Sequence, residues 1–198
     1  LFAQQGVTQC GTPTGQPKFP IETYQELPDP SSPSDKDWAA VTAPQISWGT
    51  IDTRYAKHRL PQLKKQQLTT LKGWRGERVN AQAVVWTGTE VKDLNFSFTD
   101  FKDKKGNSLS DEAFKAGFIR YVMTDELNKD GRGACGHRQA VDYDSLLVAD
   151  PIDTNLKSMS VPARTVQPIW VQCWIPQSAT PGTYKGALLI KDGSRLLQ

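Results

Sequence analysis

The strongest constraint on the fold is a succession of short runs in which apolar and polar residues alternate, each closed by turn-forming residues. A period of two marks a half-buried strand, because successive side chains leave a strand on opposite sides. Ile46, Trp48 and Thr50 alternate first. Val79, Ala81, Ala83 and Val85 alternate with Asn80, Gln82 and Val84, and Leu94, Phe96 and Phe98 with Asn95 and Ser97. From Gly117 to Met123 both faces carry bulky groups, as in a strand covered on both sides. Between Val166 and Ile175, Trp170 and Trp174 share one face while Ile169, Val171 and Cys173 share the other. Tyr184, Leu188 and Ile190 end the series after the turn Thr180-Pro181-Gly182. The runs predict an all-β fold, an antiparallel β-sandwich.

Helical signals are few. Leu60, Leu63, Leu68 and Leu71 fall near one face of a 3.6-residue period and predict a short helix despite Pro61. Ser110 precedes Asp111-Glu112-Ala113-Phe114 as a capping residue, enough for a turn or two. Before Gln45 the character changes: Thr12 to Pro44 is rich in Pro, Ser, Asp and Thr with little apolar periodicity, and reads as an extended surface arm. The expected organisation is a signal remnant and arm over 1–44, a β-sandwich over 45–192, and a boundary to a further C-terminal domain over 193–198. The small residue Ala3, where a signal peptidase can cut, makes a secreted, periplasmic or cell-surface protein the expectation.

Charge narrows the partners. The 24 Lys and Arg residues are scattered among 21 Asp and Glu residues in a chain of 198, so no basic stripe points to nucleic acid. No apolar run approaches the roughly 20 residues that a membrane-spanning helix needs. Three cysteines, Cys10, Cys135 and Cys173, allow at most one internal disulfide. Cys173, inside an apolar run, reads as a buried free thiol, and the pairing of Cys10 with Cys135 stays open.

Four constellations carry candidate chemistry. Asp125 and Glu126 are adjacent acids at a strand end, the arrangement that substrate-assisted glycoside hydrolysis uses, one orienting an acetamido nucleophile and the other protonating the leaving oxygen. A polar turn leaving a sheet is the preferred reading, because such pairs usually sit on a TIM barrel of about 250 residues and this chain has neither that length nor the βα alternation. Glu126, Asn128 and Asp130 place oxygen donors two apart ahead of Gly131, as in the front of a calcium loop, but the twelfth position is His137 and supplies no bidentate acid. Cys135 and His137 give two ligands where zinc wants about four. No metal or other cofactor is therefore expected. Of the six tryptophans, Trp48, Trp170 and Trp174 lie in strand patterns and are expected in the core, while Trp38 in the arm and Trp86 before a turn are the expected exposed platforms for a sugar ring.

Several stretches together resemble a known family. They are Trp74 to Val84, Phe118 to Leu127 with Asn128 to Gly131, Cys135-Gly136-His137, Leu147 to Asp153, Val161 to Arg164, Gln167 to Trp170 and Pro181 to Gly186. The chain over about 45–192 resembles the N-terminal domain of glycoside hydrolase family 123-like proteins from gut bacteroidetes. That resemblance implies a β-sandwich ahead of a (β/α)₈ barrel that hydrolyses N-acetylgalactosamine linkages. It also implies that Asp125 and Glu126 do not inherit the barrel's catalytic roles. The expected function is then a non-catalytic accessory domain whose partner is the C-terminal catalytic domain of the same chain. Its inter-domain contact is expected along Asp125, Glu126, Asn128, Asp130, Cys135, His137 and Arg138. The alternatives are a carbohydrate-binding module, with glycans as partners through exposed Trp, and a small autonomous hydrolase using Asp125 and Glu126.

Overall fold

The computed structural model of the chain describes residues 26–28, 33–124 and 145–197. Its larger sheet contains β1 (Gln45–Gly49), β2 (Arg78–Thr87), β6 (Phe114–Thr124), β7 (Leu146–Asp153) and β9 (Thr165–Trp174), in the order β1-β2-β9-β6-β7. The smaller contains β3 (Val91–Phe98), β8 (Ser158–Val161), β10 (Leu188–Asp192) and β11 (Arg195–Leu196), in the order β11-β10-β3-β8. A ribbon of β4 (Phe101–Lys102) and β5 (Ser108–Leu109) stands apart, and every named strand pair is antiparallel. The all-β sandwich expected from alternation is what the chain forms.

Alternation also fixes which side faces in. Ala81, Ala83 and Val85 of β2, Ile169 and Val171 of β9, and Phe118 of β6 meet Leu94, Val161 and Ile190 of the smaller sheet in one buried core. Phe96 and Phe118 close the layer at a centroid distance of 5.1 Å. Cys173 is a buried free thiol on this inner side, and burial pushes its pKa up, which keeps it unreactive.

The outer face of the larger sheet is half covered by the chain between β1 and β2. The pairing of β6 with β9 ends at Phe118 and Ile169, and Pro168, which has no amide to donate, sits just past that limit. A register shift between Ile119 and Tyr121 lies opposite Asp150 and Pro151. Residues 55–57 close the opening. Lys57 N–H donates to Leu147 O, Ala149 N–H to Tyr55 O, and Val166 N–H to Lys57 O, each at 2.9 Å. Tyr121 Oη donates to Val166 O, and Gln167 Nε2 donates to Ile119 O at 2.9 Å, whereas the buried Tyr55 hydroxyl has no hydrogen-bond partner among the described residues.

Two expectations are corrected. Residues 60–71 form no helix. Pro61 interrupts the amide ladder, and Gln66 bonds instead to the free edge of β1, accepting from Trp48 N–H and donating to Ser47 Oγ. Leu60 and Leu63 still pack inward, but Leu68 and Leu71 are exposed. The arm is not purely a surface tether. Asp35–Trp38 make one helical turn, α1, capped by Ser34, whose Oγ accepts from Asp37 N–H. Glycine at 88 lets that segment approach, since an added Cβ would collide with the Val41 carbonyl. Within 193–198, expected as a boundary, Arg195 and Leu196 form β11, which folds back on β10 through Gly193, whose φ of 58° suits glycine. Ser110 does cap a short turn as expected, a 3₁₀ turn over Asp111–Ala113.

Candidate functional site

The loop expected to carry chemistry and inter-domain contact, Asp125, Glu126, Asn128, Asp130, Cys135, His137 and Arg138, lies outside the described residues, as does Cys10. What the fold supplies is its frame. Residues 125–138 fall between β6 and β7, whose facing ends pair in the register Thr124 to Leu146 and Met123 to Leu147. Among the described residues no group of three His, Cys, Asp or Glu side chains is placed to hold a metal. No helix among them is long and apolar enough to cross a membrane.

The two tryptophans expected as sugar platforms are buried. Trp38 is 3% exposed and donates its indole N–H to His58 O at 2.9 Å; Trp86 is 7% exposed. Both belong to one buried cluster with Tyr55, Val84 and Val166, in which Trp38 and Tyr55 lie over the outer face of the sheet. Trp86 points to the outer face of β2, and that face is roofed exactly where Trp86 stands, so its place before a turn does not expose it. The exposed tryptophans are two others. Trp74, in the turn leading into β2, is 84% exposed, and Trp174, expected in the core, is 53% exposed. Trp48 and Trp170 are half-buried.

Trp174 is nevertheless held. Its Nε1 donates to Gly76 O at 3.2 Å, and the Arg78 guanidinium lies over its ring at 4.5 Å. Along the same outer side of β9 come Gln172 and the half-buried Trp170, since the register with β2 runs unbroken from Thr165 to Trp174. Gln172 Nε2 donates to Asn80 Oδ1 at 3.4 Å across the strand pair, and Lys115 of β6 stands opposite Gln172. Among the described residues nothing covers this end of the outer face. The roof stops at Gln82, whose Nε2 donates to Thr50 O at 2.8 Å and Thr53 O at 3.0 Å.

A second cluster lies where the roof is pinned. Glu26 accepts from Lys57 Nζ at 2.6 Å, Arg120 Nε at 3.0 Å and Tyr121 N–H at 3.3 Å, while Arg120 also reaches Asp153 at 3.5 Å. Burial pushes the Glu26 carboxyl up, but the hydrogen bonds and charges of Lys57 and Arg120 outweigh it and hold the group below its ordinary value. Burial, and then the Glu26 charge, push the Tyr121 phenol well above its ordinary range. A carboxylate with three donors and a lowered pKa is an anchor, unsuited to donating a proton. Partners 31 and 94 residues away leave no local trace in the sequence, so Glu26 was not legible there.

The geometry can now be set beside known proteins. A family model described as the glycoside hydrolase 123 N-terminal domain matches residues 48–192, from within β1 to the end of β10. A similar solved structure is a family 123 glycoside hydrolase from Clostridium perfringens, studied for the hydrolysis of glycolipid glycans. It is 20% identical with a TM-score of 0.59, over 76% of this chain and 24% of that one. The present chain thus spans about a quarter of that hydrolase. No curated protein matches it. With the match running across both sheets, the chain belongs to the glycoside hydrolase 123 N-terminal domain family.

Proposed function

We propose that this chain is the non-catalytic N-terminal accessory domain of a longer, secreted, N-acetylgalactosaminidase-like enzyme, in which it buttresses a C-terminal (β/α)₈ barrel. The observation that carries the reading is the family match over 48–192, which takes in nearly the whole sandwich. Supporting it, the chain corresponds to 24% of the similar hydrolase, and the remainder of a protein that size accommodates a barrel of about 250 residues. The deeply placed Glu26 supports it too, being saturated by cations where a glycosidase acid needs a raised pKa. Asp125 and Glu126 then belong to the contact with the barrel, together with Asn128, Asp130, Cys135, His137 and Arg138, on a polar connection between the paired ends of β6 and β7.

The test is hydrolysis of an aryl N-acetyl-β-galactosaminide by the complete enzyme, by this chain, and by this chain with Glu126→Gln. Turnover is expected from the complete enzyme alone. Turnover by this chain that disappears with Glu126→Gln would make the domain itself the hydrolase.

A further inference from the structure

The bare end of the outer face is a built surface for which neither the family match nor the accessory role supplies an occupant. Trp170 and Trp174 lie four residues apart on one side of one strand, which separates them by about 13 Å at ~3.3 Å per residue. Between them sits the Gln172–Asn80 amide pair, whose single 3.4 Å hydrogen bond leaves the Gln172 carbonyl and an Asn80 N–H unpartnered among the described residues. Arg78 and Lys115 flank the row, exposed and without an ion pair among the described residues.

We infer that this face binds an acidic glycan, a chain of sugar rings bearing carboxylate or sulfate groups. The indole of Trp174, fixed by Gly76 and Arg78, offers a flat apolar surface to the C–H face of a pyranose. The amides between the indoles match hydroxyl groups, and the two cations match the anionic substituents, the guanidinium in its bidentate manner. A protein partner fits less well, because protein interfaces place aromatic anchors at a desolvated centre with polar groups at the rim, whereas here the polar pair is central. A single-stranded nucleic acid would find stacking surfaces but only two cations to track its phosphates. The inference rests on the bare face and not on the accessory reading, so either can fail alone.

The test is affinity electrophoresis of this chain through gels holding hyaluronan, chondroitin sulfate or neutral hydroxyethylcellulose, with Trp174→Ala and Arg78→Gln/Lys115→Gln variants. A Lys104→Gln/Lys105→Gln variant matches the second in charge but alters the exposed β4–β5 turn instead. Retardation by an acidic polymer is expected, weakened at least tenfold by both face variants and little by the turn variant. Preference for hyaluronan assigns a carboxylate ligand, and preference for chondroitin sulfate a sulfate. The proposal is overturned by no retardation, by equal loss in the two charge variants, by equal retardation in the neutral gel, or by equally tight binding of oligo(dT). Binding by this chain that is lost in the complete enzyme would make the face a seat for the rest of that enzyme, and also overturns it.

Discussion

The two halves of one sheet face have opposite fates, one apolar and roofed, the other mostly polar and uncovered among the described residues. On the outer side of β2 and β9, the half with Val84, Trp86 and Val166 is roofed by Trp38, Tyr55, Leu60 and Leu63. The half with Arg78, Asn80, Gln172 and Trp174 is bare among the described residues. Both carry a tryptophan on a long central strand. The difference comes from chain that arrives from elsewhere, and the covering chain stays in place through backbone hydrogen bonds and the Glu26 cluster. A large aromatic on a strand is therefore core or platform according to coverage, which alternation does not encode.

The largest effect that sharpens this contrast is expected at Trp86. Removing a buried indole leaves a cavity that the larger sheet and the covering chain fill only in part, and Trp86→Ala is expected to cost about 3–5 kcal/mol. Urea unfolding measures it, through a fall in midpoint with an unchanged slope. A loss below about 1 kcal/mol would mean that the roof does not cover this half in solution.

That contrast also shows what the sequence encodes. Strands β2, β3, β6 and β9 are legible because burial of one face, or of both, leaves a pattern over eight residues or more. Strands β4, β5 and β11 span two residues each and leave none. The turn α1 did leave a trace, since Ser34 followed by Asp35 and Asp37 is a capped, acidic helix start, but it is hidden in a stretch otherwise rich in proline. The roof over 50–63 has no period at all, because its groups bond one at a time to different strands. The bare face is half legible: the alternation puts Trp170 and Trp174 correctly on one side, and the core reading holds for the partly buried Trp170, which packs against the cluster of Ile119 and Leu147, but not for the exposed Trp174.

Glu26 comes next. Glu26→Gln leaves Lys57 and Arg120 facing each other with the buried negative charge gone, an expected loss of about 3 kcal/mol, less than removal of the whole indole at its upper range. The same group gives the contrast a pH signature. Its folded pKa lies below the ordinary 4.5, so its stabilisation is present in full above the unfolded value and is lost as pH falls through the folded one. Hydrogen exchange between pH 6 and pH 3 is expected to show the Lys57 and Val166 amides of the roof losing protection ahead of the Ala81–Ile169 core, and Glu26→Gln is expected to remove that pH dependence. Simultaneous loss across both would make the roof no separate unit.

The smallest effect is the one that most separates the halves. Trp174 has the same side chain as Trp86, but 53% of its surface already faces solvent, so its truncation opens no cavity. What Trp174→Ala removes is the hydrogen bond to Gly76 O and the stacking of Arg78, and an exposed cation–π contact is worth about 0.5–1 kcal/mol. Urea unfolding of Trp174→Ala is therefore expected to show a loss no greater than about 1 kcal/mol, several-fold below Trp86→Ala. A loss comparable with Trp86→Ala would place Trp174 in a packed environment and erase the distinction between roofed and bare halves. With the stability effect this small, a strong effect of the same substitution on glycan retention has to come from the surface itself, because the sheet beneath it is unchanged.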